Sequence, residues 1–75
     1  MEVVMTVHEQ VIETLRRKPG QTAIEVAEAI FGSEAYQQRV NGACYWLWRN
    51  GHAIREGRGG RGDPYRHTLT SKANA

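Results

Sequence analysis

Thr22-Ala23-Ile24-Glu25-Val26-Ala27-Glu28-Ala29-Ile30-Phe31-Gly32-Ser33, running on through Gln37, Val40 and Asn41 to Gly51, is the stretch that decides how this chain folds. Thr22 and Glu25 have the spacing of a capping box, in which hydroxyl and carboxylate each satisfy an orphan amide at a helix start. Val26, Ala27, Ile30 and Phe31 then recur on one helical face as far as Gly32, a residue that accepts the left-handed dihedrals on which helices end. The stretch predicts one short helix, and Ser33 is placed to cap another. That next helix, expected over residues 34–50, has Asn50 in its last turn and Gly51 beyond it. At ~100° per residue its Tyr36, Val40, Ala43, Cys44 and Leu47 gather on an apolar side, with Gln38, Gly42, Tyr45 and Arg49 opposite.

Towards the amino terminus a second capping box, Thr6-Val7-His8-Glu9, opens a helix expected from Val7 to Arg17. Val7, Val11, Ile12 and Leu15 share its inner face, and Lys18-Pro19-Gly20 stops it before a very short extended link at Gly20-Gln21. Beyond Gly51 the period shortens to that of a strand. His52 to Glu56 and Tyr65 to Leu69 alternate as a two-stranded hairpin, and Gly57 to Pro64 between them is glycine-rich enough to read as a flexible tip. Residues 1–5 and 70–75 are taken as tails, with Ser71 to Ala75 expected to fray. The folded domain is expected over residues 6–69. The class is α+β and mostly helical: three helices and a carboxy-terminal two-stranded β-hairpin.

Composition narrows the function. With 75 residues, the chain has room for one small domain with a thin core, and a deep catalytic cavity is not expected. The single Cys44 excludes an internal disulfide framework and a four-thiolate metal site, which fits a reducing cytoplasm, or the nucleoid if the cell is bacterial. No apolar run is long enough to cross a membrane, and the amino terminus lacks the order of a signal peptide, so no membrane partner is expected. The net charge of +2 conceals an asymmetry: residues 1–36 carry three basic against six acidic side chains, whereas residues 37–75 carry seven against two. Most of the basic residues are arginine, whose planar fork suits phosphate oxygens and guanine edges.

The order of helix, short link, helix, tight turn, helix and hairpin resembles the winged helix-turn-helix superfamily. The residues that carry the likeness are Ala23-Ile24-Glu25-Val26-Ala27, then Val40, Leu47 and the Gly51-His52-Ala53-Ile54 turn into the hairpin. The resemblance implies a DNA-binding domain in which helix 34–50 lies in the major groove of double-stranded DNA and the hairpin serves as a wing. Gln37, Gln38 and Asn41 offer paired donors and acceptors suited to adenine, Tyr45 projects beside them, and Arg49 reaches towards phosphate. Gly42 on that face costs roughly 0.8–1.0 kcal/mol relative to alanine, which a closely approaching backbone would explain. Arg58 and Arg61 in the hairpin tip, and Arg66 after it, are placed to follow phosphates or a minor groove. The reading is a small transcriptional regulator that gains affinity by dimerising or by acting beside other copies. Trp46 or Trp48 is expected to pack on the first helix or beneath the hairpin, in core or dimer contact.

A more local likeness is to the domains that recognise left-handed Z-form nucleic acid. Val40-Asn41, Tyr45, Leu47, Gly51 and Pro64 carry it, and it implies that Asn41 and Tyr45 touch the zigzag backbone and a syn base. The hairpin departs from that pattern in having one proline, no tryptophan and a longer glycine-rich tip. A further alternative is a protein-interaction module that uses the tryptophans and the acidic helices.

Other motifs lead nowhere. Gly57-x-Gly59-x-x-Gly62 matches a dinucleotide fingerprint but lacks the βαβ unit it requires, so no small-molecule cofactor is expected. Arg61-Gly62-Asp63 reads as a turn. His8, His52 and His67 have no paired-ligand spacing, so no metal is expected. Cys44 sits on the inward face as a small hydrophobe, and no catalytic triad emerges. An enzyme is not expected.

Overall fold

A computed structural model describes residues 5–73. The elements are α1 (Val7–Arg17), β1 (Gln21–Thr22), α2 (Ala23–Phe31), a 3₁₀ turn over Glu34–Tyr36, α3 (Gln37–Arg49), β2 (Ala53–Glu56) and β3 (Arg66–Leu69). Helices make up about half of the chain, and the class is α+β with a small antiparallel sheet.

Both capping boxes form. The Glu9 amide donates to Thr6 Oγ1 at 3.2 Å and the Thr6 amide to Glu9 Oε1 at 3.1 Å, and Thr22 and Glu25 repeat the exchange at 3.2 and 2.9 Å. In each case the amide held by the glutamate, with help from the threonine hydroxyl, lowers the pKa of the Glu9 or Glu25 carboxyl. Gly32 ends α2 at φ 73°, in the left-handed region anticipated for it.

Three expectations need correction. Helix 34–50 is not continuous: Ser33 caps only the 3₁₀ turn, and Tyr36, at φ −97° and ψ 12°, breaks the path before α3 begins at Gln37. Tyr36 therefore leaves the apolar face of α3 and lies on Phe31, with ring centroids 4.7 Å apart. The sheet has three strands in the order β1-β3-β2, because the link at Gln21–Thr22 pairs antiparallel with Arg66 and His67. A two-residue edge carries too little periodicity to be seen in sequence, and its pairing is long-range. Finally, the described part of the carboxy-terminal segment is tied down. Thr70 Oγ1 donates to the Gly51 carbonyl at 2.6 Å and Lys72 Nζ to the Asn50 carbonyl at 2.7 Å, so Lys72 supplies the cation that the end of α3 favours. Met1 to Val4, and Asn74 with Ala75, lie outside the described residues.

Most of the core is where the patterning placed it, with Val7, Ile12 and Ile30 only partly buried at its edge. Val11 and Leu15 of α1, Ala23, Val26 and Ala27 of α2, Val40, Ala43, Cys44 and Leu47 of α3, and Ala53 of β2 are all buried. Leu69 of β3 and Phe31 pack against this cluster from the side. Gln21 is buried and polar, yet satisfied: its Nε2 donates to the carbonyls of Lys18 at 2.7 Å and Thr14 at 3.2 Å, closing the end of α1. Neither tryptophan belongs to this core. Trp46 is 47% exposed and Trp48 half-buried, since Val40, Ala43, Cys44 and Leu47 already fill the inward side of α3. The two rings point to opposite flanks of the helix.

Candidate nucleic-acid interface

Between α3 and the β2–β3 hairpin runs an open groove of about 390 Å³. One wall is the flank of α3 that carries Gln37, Asn41 and Tyr45, and the other is the hairpin, with Arg61, Pro64 and Tyr65. Arg55 and His67, cross-strand partners in β2 and β3, also line it. Residues 41 and 45 stand on the same flank because they are one turn apart, and Val40 and Leu47, buried beneath them, fix the rotation of the helix.

The hairpin wall owes its shape to a layered stack. The Arg55 guanidinium carbon lies 3.6 Å from the centroid of the Trp48 ring and 4.0 Å from that of Tyr65, within cation–π range of both. Tyr45 adjoins Trp48, its ring tilted by 50° at 5.9 Å between centroids. On the other side Tyr65 lies against Gly59, where a Cβ would overlap the ring, and Gly59 holds φ 83°. The hairpin tip forms a closed turn: the amides of Arg58 and Gly59 donate to the Asp63 carbonyl at 3.2 and 3.0 Å, and Gly60 bridges Asp63.

Of the three histidines only His67 is buried, at 4% exposure. Its Nδ1 lies 3.3 Å from the Gln21 carbonyl, the acceptor for a neutral ring that carries its proton on that nitrogen. Burial pulls its pKa below the usual histidine value and the nearby Arg55 charge adds to this, while the bond to Gln21 opposes it.

The residues singled out in the sequence divide into three groups. Gln37, Asn41, Tyr45 and Arg61 converge on the groove. Gln38, Gly42 and Arg49 are exposed on the outermost face of α3, next to the groove but not lining it, and nothing lies within 4 Å of a Cβ placed on Gly42. Arg58 lines a separate hollow at the tip with Gly60, Gly62 and Asp63, and Arg66 forms an ion pair with Asp63 at 3.5 Å. Sequence reading did not single out Arg55, Trp48 and Tyr65 as one unit. The usable signal was the alternation in β2: Ala53 is buried, so Ile54 and Glu56 face away while Arg55 shares the inner face.

On the opposite flank of α3, Trp46 stacks on His52 at 5.5 Å and 8° and meets His8 edge-on at 5.3 Å. Among the described residues no group of three histidine, cysteine or carboxylate side chains is placed to hold a metal ion, and no helix is long and apolar enough to cross a membrane. No protein-family model matches the chain, and no curated protein matches it either.

Proposed function

We propose that this chain is a winged helix-turn-helix domain that binds double-stranded DNA and acts as a small transcriptional regulator. In this reading α3 enters the major groove and the β2–β3 hairpin is the wing. One observation carries it. Amide and phenol groups of α3 (Gln37, Asn41, Tyr45) face arginine, proline and tyrosine of the hairpin across one groove, in the half of the chain that holds seven basic against two acidic residues. A helix in the major groove meets base edges with its outermost face and the sugar-phosphate walls with its flanks. Gln38, Gly42 and Arg49 are exposed on the outermost face. The open space over Gly42 suits a DNA surface brought close to the helix backbone.

The test is a fluorescence-anisotropy titration of labelled duplexes at several salt concentrations. Log affinity is expected to fall against log salt with a slope of about −0.9 for each phosphate neutralised. A flat dependence, or no binding at low salt, rejects the reading.

A second reading, recognition of Z-form nucleic acid, is favoured by the meeting of Asn41, Tyr45 and Pro64 in this one groove. Adding protein to alternating GC duplex would then invert its circular dichroism, whereas a B-form binder leaves the sign unchanged.

A further inference from the structure

Arg55 differs from the other arginines of the chain. Its guanidinium carbon lies within 4.0 Å of the centroids of two aromatic rings, yet among the described residues no hydrogen bond or ion pair engages its N–H groups. Arg16 and Arg17 reach Glu13 and Arg66 reaches Asp63, whereas Arg39, Arg49, Arg58 and Arg61 are exposed. Rings satisfy the faces of a guanidinium and leave its edge, where all five donors lie, without acceptors. The side chain is half-buried, lines the groove and packs against the Trp48 and Tyr65 rings. An unfilled donor fork set in a fixed orientation is suited to a planar pair of acceptor oxygens.

We propose that Arg55 is a phosphate anchor: its clamped fork donates two hydrogen bonds to one backbone phosphate of a DNA strand lying in the groove. The inference rests on the DNA-binding reading above and adds to it a residue and a contact type. Phosphate rather than a base edge follows from position. At ~100° per residue, the flank of α3 carrying Asn41 and Trp48 lies roughly 80–100° from the outermost face centred on Gln38, Gly42 and Arg49. Arg55 stacks against Trp48 on that flank, so it faces the wall of a DNA groove while the outermost face meets its floor. Because the rings hold the fork before binding, little side-chain freedom remains to be lost when phosphate arrives, in contrast to the exposed Arg58 and Arg61.

The test compares wild type with Arg55→Lys, Arg55→Ala and Arg61→Ala in the salt-dependent anisotropy titration, using two duplexes of unrelated sequence. Melting temperature and tryptophan fluorescence are recorded in parallel. Lysine keeps the charge over the rings but loses the fork. Arg55→Lys is expected to bind about 10- to 100-fold more weakly while melting within a few degrees of wild type. Arg55→Ala is expected to bind at least as weakly, with a salt slope shallower by about 0.9 and the same factor of loss on both duplexes.

Several outcomes overturn the proposal. If both Arg55 variants bind within twofold of wild type while Arg61→Ala weakens binding, Arg55 touches no phosphate and the DNA reading stands. Loss of affinity in Arg55→Ala with an unchanged slope makes Arg55 a support for the hairpin alone. Loss on only one duplex makes it a base reader. If wild type binds neither duplex, both this inference and the reading beneath it fall.

Discussion

His67 shows how one side chain can tie stability to pH. It is buried between the sheet and the helices, and burial holds its pKa below the ordinary value of about 6.5. The unfolded chain therefore takes up a proton at His67 before the folded chain does. The neutral ring's contribution to stability is complete above about pH 6.5 and is lost progressively as pH falls through the lower, folded-state pKa. The Glu9 and Glu25 carboxyls, lowered by their cap hydrogen bonds, act in the same direction but only below about pH 4.3. Thermal melts should thus show a constant melting temperature from pH 8 to 7 and a first decline below about 6.5, ahead of the carboxylate decline. His67→Gln, which keeps a donor for the Gln21 carbonyl but does not titrate, should abolish the first decline and retain the second. A variant that keeps the first decline would show that His67 is not its source. Cys44 is the other residue whose environment fixes its chemistry. Burial raises its thiol pKa to about 12, so no useful fraction of thiolate exists near neutrality. A thiol reagent should label Cys44 only at the rate of global unfolding, and rapid labelling of the native protein would contradict its place between Val40 and Leu47.

At the level of elements, the caps should carry measurable energy. Thr22→Ala removes the hydroxyl that accepts the Glu25 amide and should cost about 0.5–2 kcal/mol. In a chain of this length that corresponds to several degrees in melting temperature, read by circular dichroism, with Thr22→Ser restoring most of it. These helix starts were legible because a capping box is local: two residue types three positions apart fix the dihedrals and the partners together. The bounds of α1 and α2 and the buried set of α3 were legible for a similar reason, since helical periodicity and Gly32 act within a few residues. What the sequence hid was non-local. Gln21–Thr22 becomes a strand only because Arg66 and His67 pass beside it, and the break at Tyr36 is accompanied by a ring contact with Phe31. The site was half legible in the same sense. Asn41 and Tyr45 announce a shared flank by their spacing. The partners of Arg55 come from α3 and from the segment before β3, separated in sequence by the length of the hairpin.

Across the whole molecule, these contacts join the hairpin to α3 through one column of groups, from Gly59 through Tyr65, Arg55 and Trp48 to Tyr45. A groove built this way is shaped before anything enters it, and a change at the tip must be felt at the helix. Gly59 is the place to test that coupling. Any side chain there meets the Tyr65 ring and must also adopt φ 83°, whereas at Gly60 nothing lies within 4 Å of an added Cβ and φ is not positive. Both glycines are exposed and in the same turn, so substituting each by alanine separates packing from exposure. Gly59→Ala should displace Tyr65 from Arg55, lower the melting temperature and change the fluorescence of Trp48, some 11 positions away in sequence, by releasing its cation. Trp46 also emits, so the comparison is best made in a Trp46→Phe background, where Trp48 is the single reporter. Gly60→Ala should leave both signals where they were. Equal effects from the two substitutions would mean that the tip and α3 behave as independent units and that the groove has no fixed width.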